Sequence, residues 1–182
     1  MKNHIISALR LTLVMLVIVG IYLGIVYAGS KVLPTQGNAE IIHYKGQKFY
    51  ANIGQEFKSP KYFHGRPSAV NYNAAGSAGS NKGPSNEEYL QMVQRRIDTL
   101  KMQNPEMQNV KVPVELVTAS GSGLDPDISP EGAFYQAKRI AKERNISIEK
   151  IKNLINNQTE KSLFGPSKVN VLKLNIALNQ LK

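Results

Sequence analysis

The residues best suited to chemistry lie in one stretch, Val117-Thr118-Ala119-Ser120-Gly121-Ser122-Gly123-Leu124-Asp125-Pro126-Asp127-Ile128-Ser129-Pro130. Core packing does not explain so many small, hydroxylated and turn-forming residues in a row. One chemistry open to it is nucleophilic attack by Ser120 or Ser122, but a strand-to-helix nucleophile elbow needs G-x-S-x-G, and position 120 is Ser. The base would have to be His64, brought in from a distant loop. A second is anion binding, because successive Gly and Ser N–H groups ahead of a helix can cradle a phosphate. Neither this loop nor Gly76–Gly83 reads G-x-x-x-x-G-K-[ST], the form in which a lysine reaches the terminal phosphates. The third is a rigid turn or a surface for another protein, and it fits the residues best. Asp125 and Asp127 could be paired carboxylates; Asp125 reads better as a turn residue and Asp127 as a charge near the positive end of the next helix. Arg66, in Gly65-Arg66-Pro67-Ser68, could meet a phosphate, loop carbonyls or a partner's carboxylate.

Bulk composition narrows the classes. The chain has 182 residues and no cysteine, which excludes disulfide scaffolds, thiol nucleophiles and thiolate metal sites. Its three histidines, His4, His43 and His64, are far apart and lack ligand spacing, so no metal site is expected. Net charge is +10. Setting aside Lys2 and Arg10 from the 23 basic residues leaves 21 against 13 acidic ones, so the part after Ser30 carries +8. The lysines are scattered without interleaved aromatics, which argues against nucleic acid and for a solvated surface near anionic lipid.

The elements that must position the loop begin with an anchor. Residues 11–30 contain no charge, and twenty helical residues span about 30 Å, the thickness of a bilayer's hydrocarbon core. Arg10 and Lys31 bracket this segment, with Tyr22 and Tyr27 placed for the interface. Lys2, Arg10 and the amino terminus precede it, which favours a cytoplasmic segment 1–10 and an extracytoplasmic body 31–182. Val26-Tyr27-Ala28 offers small residues for signal cleavage, but the apolar run exceeds the 7–15 residues of a signal core. Gly20, Gly24 and Ala28 recur every four residues on one helix face, the spacing at which transmembrane helices approach closely.

In the body, Ile41–Tyr44 and Gln47–Asn52 around Lys45-Gly46 predict a β-hairpin. From Ile53 to Pro84 the chain turns rich in Gly, Ser, Asn and Pro, as a long ordered loop or a floppy insert. Ser85 with Glu88 reads as a capping box for a helix whose face is Tyr89, Val93, Ile97 and Leu100, ending at Asn104-Pro105. Val112–Thr118 reads as a buried strand. Ser129 and Pro130 start a second helix with Ala133, Ala137, Ile140 and Ala141 inward, leaving through a left-handed Asn145. Ser147 caps a third, with Ile146 and Ile151 as a hydrophobic staple and Leu154 and Ile155 inward. Phe164-Gly165-Pro166 reads as a turn, Val169–Leu172 as a strand, and Leu174, Leu178 and Leu181 as the face of a last helix. The predicted class is mixed α/β (α+β): one transmembrane helix and one compact domain.

Taken in order, these pieces resemble the KdpC family, the C chain of the Kdp potassium-transporting ATPase. The resemblance rests on Ile53-Gly54-Gln55 with Phe57, Tyr62-Phe63 with Gly65-Arg66-Pro67-Ser68, and Asn73-Ala74 with Ser80-Asn81. It continues through Pro113, Leu116-Val117-Thr118-Ala119-Ser120, Gly123-Leu124-Asp125-Pro126, Ile128-Ser129-Pro130 and Tyr135-Gln136, and closes on Val169-Asn170-Val171-Leu172 with Leu174-Asn175. The link at Phe164-Gly165-Pro166-Ser167 is shorter than the family pattern.

The resemblance implies a non-catalytic subunit of a high-affinity, ATP-driven potassium importer, and this chain has no D-K-T-G phosphorylation motif. The implied partners are a channel-like potassium-translocating subunit, a P-type ATP-hydrolysing subunit and a small membrane subunit, in membrane lipid and without nucleic acid. The family is described as a catalytic chaperone raising the ATP affinity of the hydrolysing subunit, so the implied cofactor is none alone, with ATP shared. On that reading Ser120, Gly121, Ser122, Gly123, Asp125 and Gln136 contact nucleotide or partner. Arg66, Ser68, Asn73, Ser80 and Asn81 contact a partner, and Gly20, Gly24 and Ala28 pack on its helices. An extracytoplasmic body cannot easily touch cytoplasmic ATP. A clamp on the channel-like subunit, coupled to the ATPase through the anchor helix, fits better.

Overall fold

The computed structural model describes residues 2–162 and 165–181, and divides into two compact units, Met1–Glu40 and Ile41–Lys182. The first unit is helix α1, Lys2–Ser30. It begins earlier than the apolar segment 11–30, because nothing between Asn3 and Arg10 breaks a helix. By length and composition it is the one described helix able to cross a membrane. Its large apolar side chains from Ile5 to Tyr27 are exposed. A Cβ at Gly20 or Gly24 would meet no atom within 4 Å, which leaves that face open to a neighbour.

The second unit opens with an antiparallel hairpin, β1 (Ile41–Tyr44) and β2 (Gln47–Tyr50), with Ile41 opposite Tyr50. Lys45 (φ 49°) and Gly46 (φ 76°) both take left-handed backbone, the twist a two-residue hairpin turn demands. The strand stops two residues short of Asn52. Helix α2, Glu87–Gln103, follows the long loop. Its cap is Asn86 and not Ser85: Asn86 Oδ1 accepts from the Tyr89 N–H at 2.9 Å. Glu88 does not close a capping box, because its carboxylate is bonded by Lys82. Leu100 is buried, and Val93 and Ile97 pack against the core as expected.

Val112–Thr118 is not a strand. Pro113 has no N–H to offer a ladder, and Val114–Leu116 coils into a 3-10 turn that exposes Val114 while burying Leu116 and Val117. The sheet is instead three short strands, β3 (Asp127–Ile128), β4 (Thr159–Glu160) and β5 (Lys168–Asn170), antiparallel in the order β3-β5-β4. Between them run α3 (Pro130–Arg144) and α4 (Ile148–Gln158), and α5 (Val171–Gln180) closes the chain. Ser129 caps α3, and the left-handed Asn145 (φ 53°) ends it. Ser147 caps α4, with Ile146 and Ile151 both in the core. The last strand is shorter than Val169–Leu172, because Asn170 caps α5 by accepting from the Lys173 N–H at 3.0 Å, and the helix starts at Val171. Phe164 of the expected turn lies outside the described residues.

The core lies between α3, α4, α5 and β5. Phe63, Ile140, Ile151, Ile155, Val169, Leu174 and Leu178 are all fully buried. Phe63 belongs to the long loop, so that loop is fastened at its centre. The result is a mixed α/β body in which small helices frame a minimal sheet.

Candidate functional site

The two stretches rich in small residues, 66–82 and 118–126, fold against each other into one platform. Ser77 Oγ donates to the Ser122 carbonyl at 3.0 Å. A Cβ on Gly79 would come within 3.0 Å of the Gly121 carbonyl oxygen. Gly123 has φ +67°, and a Cβ there would lie 2.8 Å from the Ala78 carbonyl oxygen. Small residues are required here because two backbones meet with no room for side chains. From the third side, the Gly54 N–H donates to the Leu124 carbonyl at 2.7 Å, and a Cβ on Gly54 would strike the Asp125 carbonyl oxygen at 2.7 Å.

Arg66 and Asp125 pair at 2.9 Å and join the two loops. Asp125 also forms the turn expected of it, with Oδ1 accepting from the Asp127 N–H at 3.0 Å. Arg66 therefore holds a carboxylate of this chain, and its Nε is buried without a partner. The Tyr72 hydroxyl donates to the Arg66 carbonyl at 2.5 Å, and burial raises the pKa of that phenol. Ser68 Oγ accepts from the N–H groups of Val70 and Tyr72, at 3.1 and 2.9 Å, which turns the chain through left-handed Asn71 and Tyr72. Asn73 Oδ1 accepts from the Ala75 N–H at 3.1 Å. Ser80 is half-buried, and Asn81 is exposed with φ 53°. Residues 53–84 are thus an ordered loop.

A shallow cavity of about 490 Å³ lies on the platform, walled by Arg66, Ser77, Ser120, Gly121, Ser122 and Asp125 among others. Ser120 is buried, with Oγ 3.5 Å from both Ser122 Oγ and the Asp125 N–H. No imidazole reaches it. The His64 ring is engaged elsewhere, its Nε2–H donating to the Ser59 carbonyl at 3.1 Å, and His64 lines a groove beside α2. Burial first and the nearby Arg139 second lower the His64 pKa below 6.5. The geometry brings Ser120 and Ser122 to one wall, and among the described residues no histidine is hydrogen-bonded to either.

Two expected positions separate from the platform. Gln136 is fully buried inside α3, where its amide accepts from the His64 N–H at 2.8 Å and donates to the His64 carbonyl at 3.0 Å. It has no surface to offer a ligand. Asp127 does not serve the α3 terminus: its Oδ2 accepts from Lys168 Nζ at 2.8 Å across the sheet. Glu115 takes that place, its carboxylate accepting from the Ser129 hydroxyl that caps α3.

Arg139 and Asn170 tie together segments around the platform, and the sequence reading gave neither a role. Arg139 is buried, and it donates to the carbonyls of Pro60 and Tyr62 and to the side chains of Asn104 and Gln136. Burial lowers its pKa to about 10. Asn170 Nδ2 donates to the Ala51 carbonyl at 2.8 Å and so ties the hairpin exit to β5. Asn170 stood in the family pattern Val169-Asn170-Val171-Leu172, which gave it no role, and no local signal marked Arg139.

The chain is 53% identical to the potassium-transporting ATPase KdpC subunit of Flavobacterium johnsoniae, with both chains covered in full. It is 46% identical to the KdpC subunit of Bacteroides fragilis over 97% of this chain and 96% of that one. It is 43% identical to that of Methylococcus capsulatus, again over both whole chains. The profile of the K+-transporting ATPase c chain, KdpC, matches residues 5–180, platform and anchor together, so the chain belongs to the KdpC family.

Proposed function

We propose that this chain is a non-catalytic accessory subunit of a potassium-transporting ATPase, held in the membrane by α1 with its body outside the cytoplasm. The observation that carries the proposal is the platform itself. Its arginine pairs with Asp125 of the same chain, and its glycines bring two backbones together with no room for side chains between them. Such a surface positions another protein and does not transform a substrate. The relatives' names describe subunits of a potassium-transporting ATPase, which agrees with a role inside an assembly.

In this proposal Ser80, Asn81, Asn73 and the exposed Gly121-Ser122 edge face the channel-like potassium-translocating subunit, with Arg66, Ser68, Gly123 and Asp125 holding that edge in shape. Gly20, Gly24 and Ala28 pack on partner helices in the bilayer, among them the small membrane subunit. The P-type subunit hydrolyses ATP on the cytoplasmic side. This chain raises its ATP affinity through the anchor helix, a coupling between distant sites that needs no shared nucleotide.

Purification of the full chain in mild detergent tests the reading. Membrane subunits of a transport ATPase should accompany it, and Gly20→Leu with Gly24→Leu should weaken that association. A chain that elutes alone and unassociated would remove the basis of the proposal.

A further inference from the structure

Helix α2 carries Met92, Arg95, Arg96, Thr99 and Gln103 at successive helical spacings, so they form one stripe. Beside it lie Leu100, Leu116 and His64, and together they line an open groove of about 310 Å³. The stripe runs eleven residues along the helix, about 16 Å, the length of roughly five residues of extended chain.

The groove's charge is unbalanced. Arg95 is exposed and enters no ion pair among the described residues. Arg96 is half-buried, with Nη1 donating to the Val117 carbonyl at 2.9 Å, its one side-chain hydrogen bond among the described residues. No carboxylate lines the groove. Of the acids on the same helix, Glu88 pairs with Lys82, Asp98 accepts from the Gln94 side chain, and Glu87 lies in the first turn, two turns before Arg95. Two guanidiniums over a floor of Met92, Leu100 and Leu116 match an anion presented beside apolar groups.

We propose that this groove docks an acidic segment of a partner polypeptide, a carboxylate between apolar side chains, seated between Arg95 and Arg96. The inference rests on the accessory-subunit reading, since the partner belongs to the same assembly. The groove's openness and length favour an extended peptide over an enclosed small ligand.

The test places a photo-reactive residue, Thr99→p-benzoylphenylalanine, in the full chain within the detergent-solubilised assembly, with Asp98→p-benzoylphenylalanine as the control on the neighbouring face. The expected product is a crosslink from position 99 to a partner peptide containing Asp or Glu beside an apolar residue. Adding Arg95→Glu should reduce that yield roughly tenfold, while Arg95→Lys retains most of it. Arg95 makes no side-chain hydrogen bond, so its replacement leaves the fold intact. A crosslink only to lipid, to a peptide without acidic residues, or one indifferent to Arg95→Glu would overturn the inference. If partner subunits still co-purify in that case, the accessory role stands and only the docking site falls. If nothing co-purifies, both fall.

Discussion

The side chain of Asn175 takes both backbone hydrogen bonds of Phe63, accepting from its N–H at 2.9 Å and donating to its carbonyl at 2.9 Å. Gln136 does the same for His64, the next residue. Two amides, from α5 and α3, thus stand in for the neighbouring strand that this extended segment lacks. Because Phe63 is fully buried, its peptide groups could not otherwise be satisfied. This is how a loop without regular structure enters the core and carries Arg66 and Ser68 to the platform.

Replacing Asn175 by Leu keeps the branched shape, though not the volume, and removes both hydrogen bonds. A buried N–H and a buried carbonyl are then left unpaired, at a cost of about 3 kcal/mol. Thermal unfolding of the full chain in detergent should show this as a clear drop in Tm. An unchanged Tm would mean that the amide does not hold Phe63.

Tyr135 supplies the contrast. It is buried, yet its hydroxyl has no hydrogen-bond partner among the described residues, and burial raises its pKa. Tyr135→Phe removes an unsatisfied polar group without changing shape, so stability should stay within about 0.5 kcal/mol or rise. The same unfolding measurement distinguishes this from a loss.

Gly123→Ala should destabilise the platform by about 1–3 kcal/mol, since the new methyl meets the Ala78 carbonyl in left-handed backbone. The damage should stay local. Limited proteolysis should cut first within residues 68–82 or 118–126, with α3, α4 and α5 still protected.

His64 makes stability depend on pH. Its folded pKa lies below 6.5, so as pH falls through 6.5 the unfolded chain gains a proton that the folded chain resists. The stabilisation is complete above 6.5 and is lost progressively below it, until pH passes the folded pKa. His64→Gln should flatten the part of the decline that begins near about pH 6.5. An unaltered pH profile of unfolding would exclude this group as its source.

Local chemistry was legible wherever a short motif settles the backbone unaided. Lys45-Gly46 made its hairpin turn, Ser129-Pro130 and Ser147 capped their helices, and Asn145 ended one. The apolar anchor needed only composition. Where partners come from far along the chain, the reading failed. Val112–Thr118 has the composition of a strand, but with Pro113 in it and no strand to pair with, it became a tight turn. At the site, the two small-residue loops stood out separately, and their mutual contact did not. Nothing local tells Gly79 that it will meet Gly121, or Arg66 that its partner is Asp125, 59 residues away. Gln136 belonged to the family pattern, but its place inside α3 gives it a structural task that periodicity could not reveal.

High-affinity potassium uptake in cells lacking this chain tests the central claim most directly, with the other subunits of the transport ATPase present. Uptake should be lost at limiting potassium, and should return with the full chain and equally with a Ser120→Ala, Ser122→Ala, His64→Gln variant, because the proposed role asks no catalysis of this chain. Normal uptake without the chain, or failure of that variant to restore it despite normal folding and membrane levels, would contradict the account.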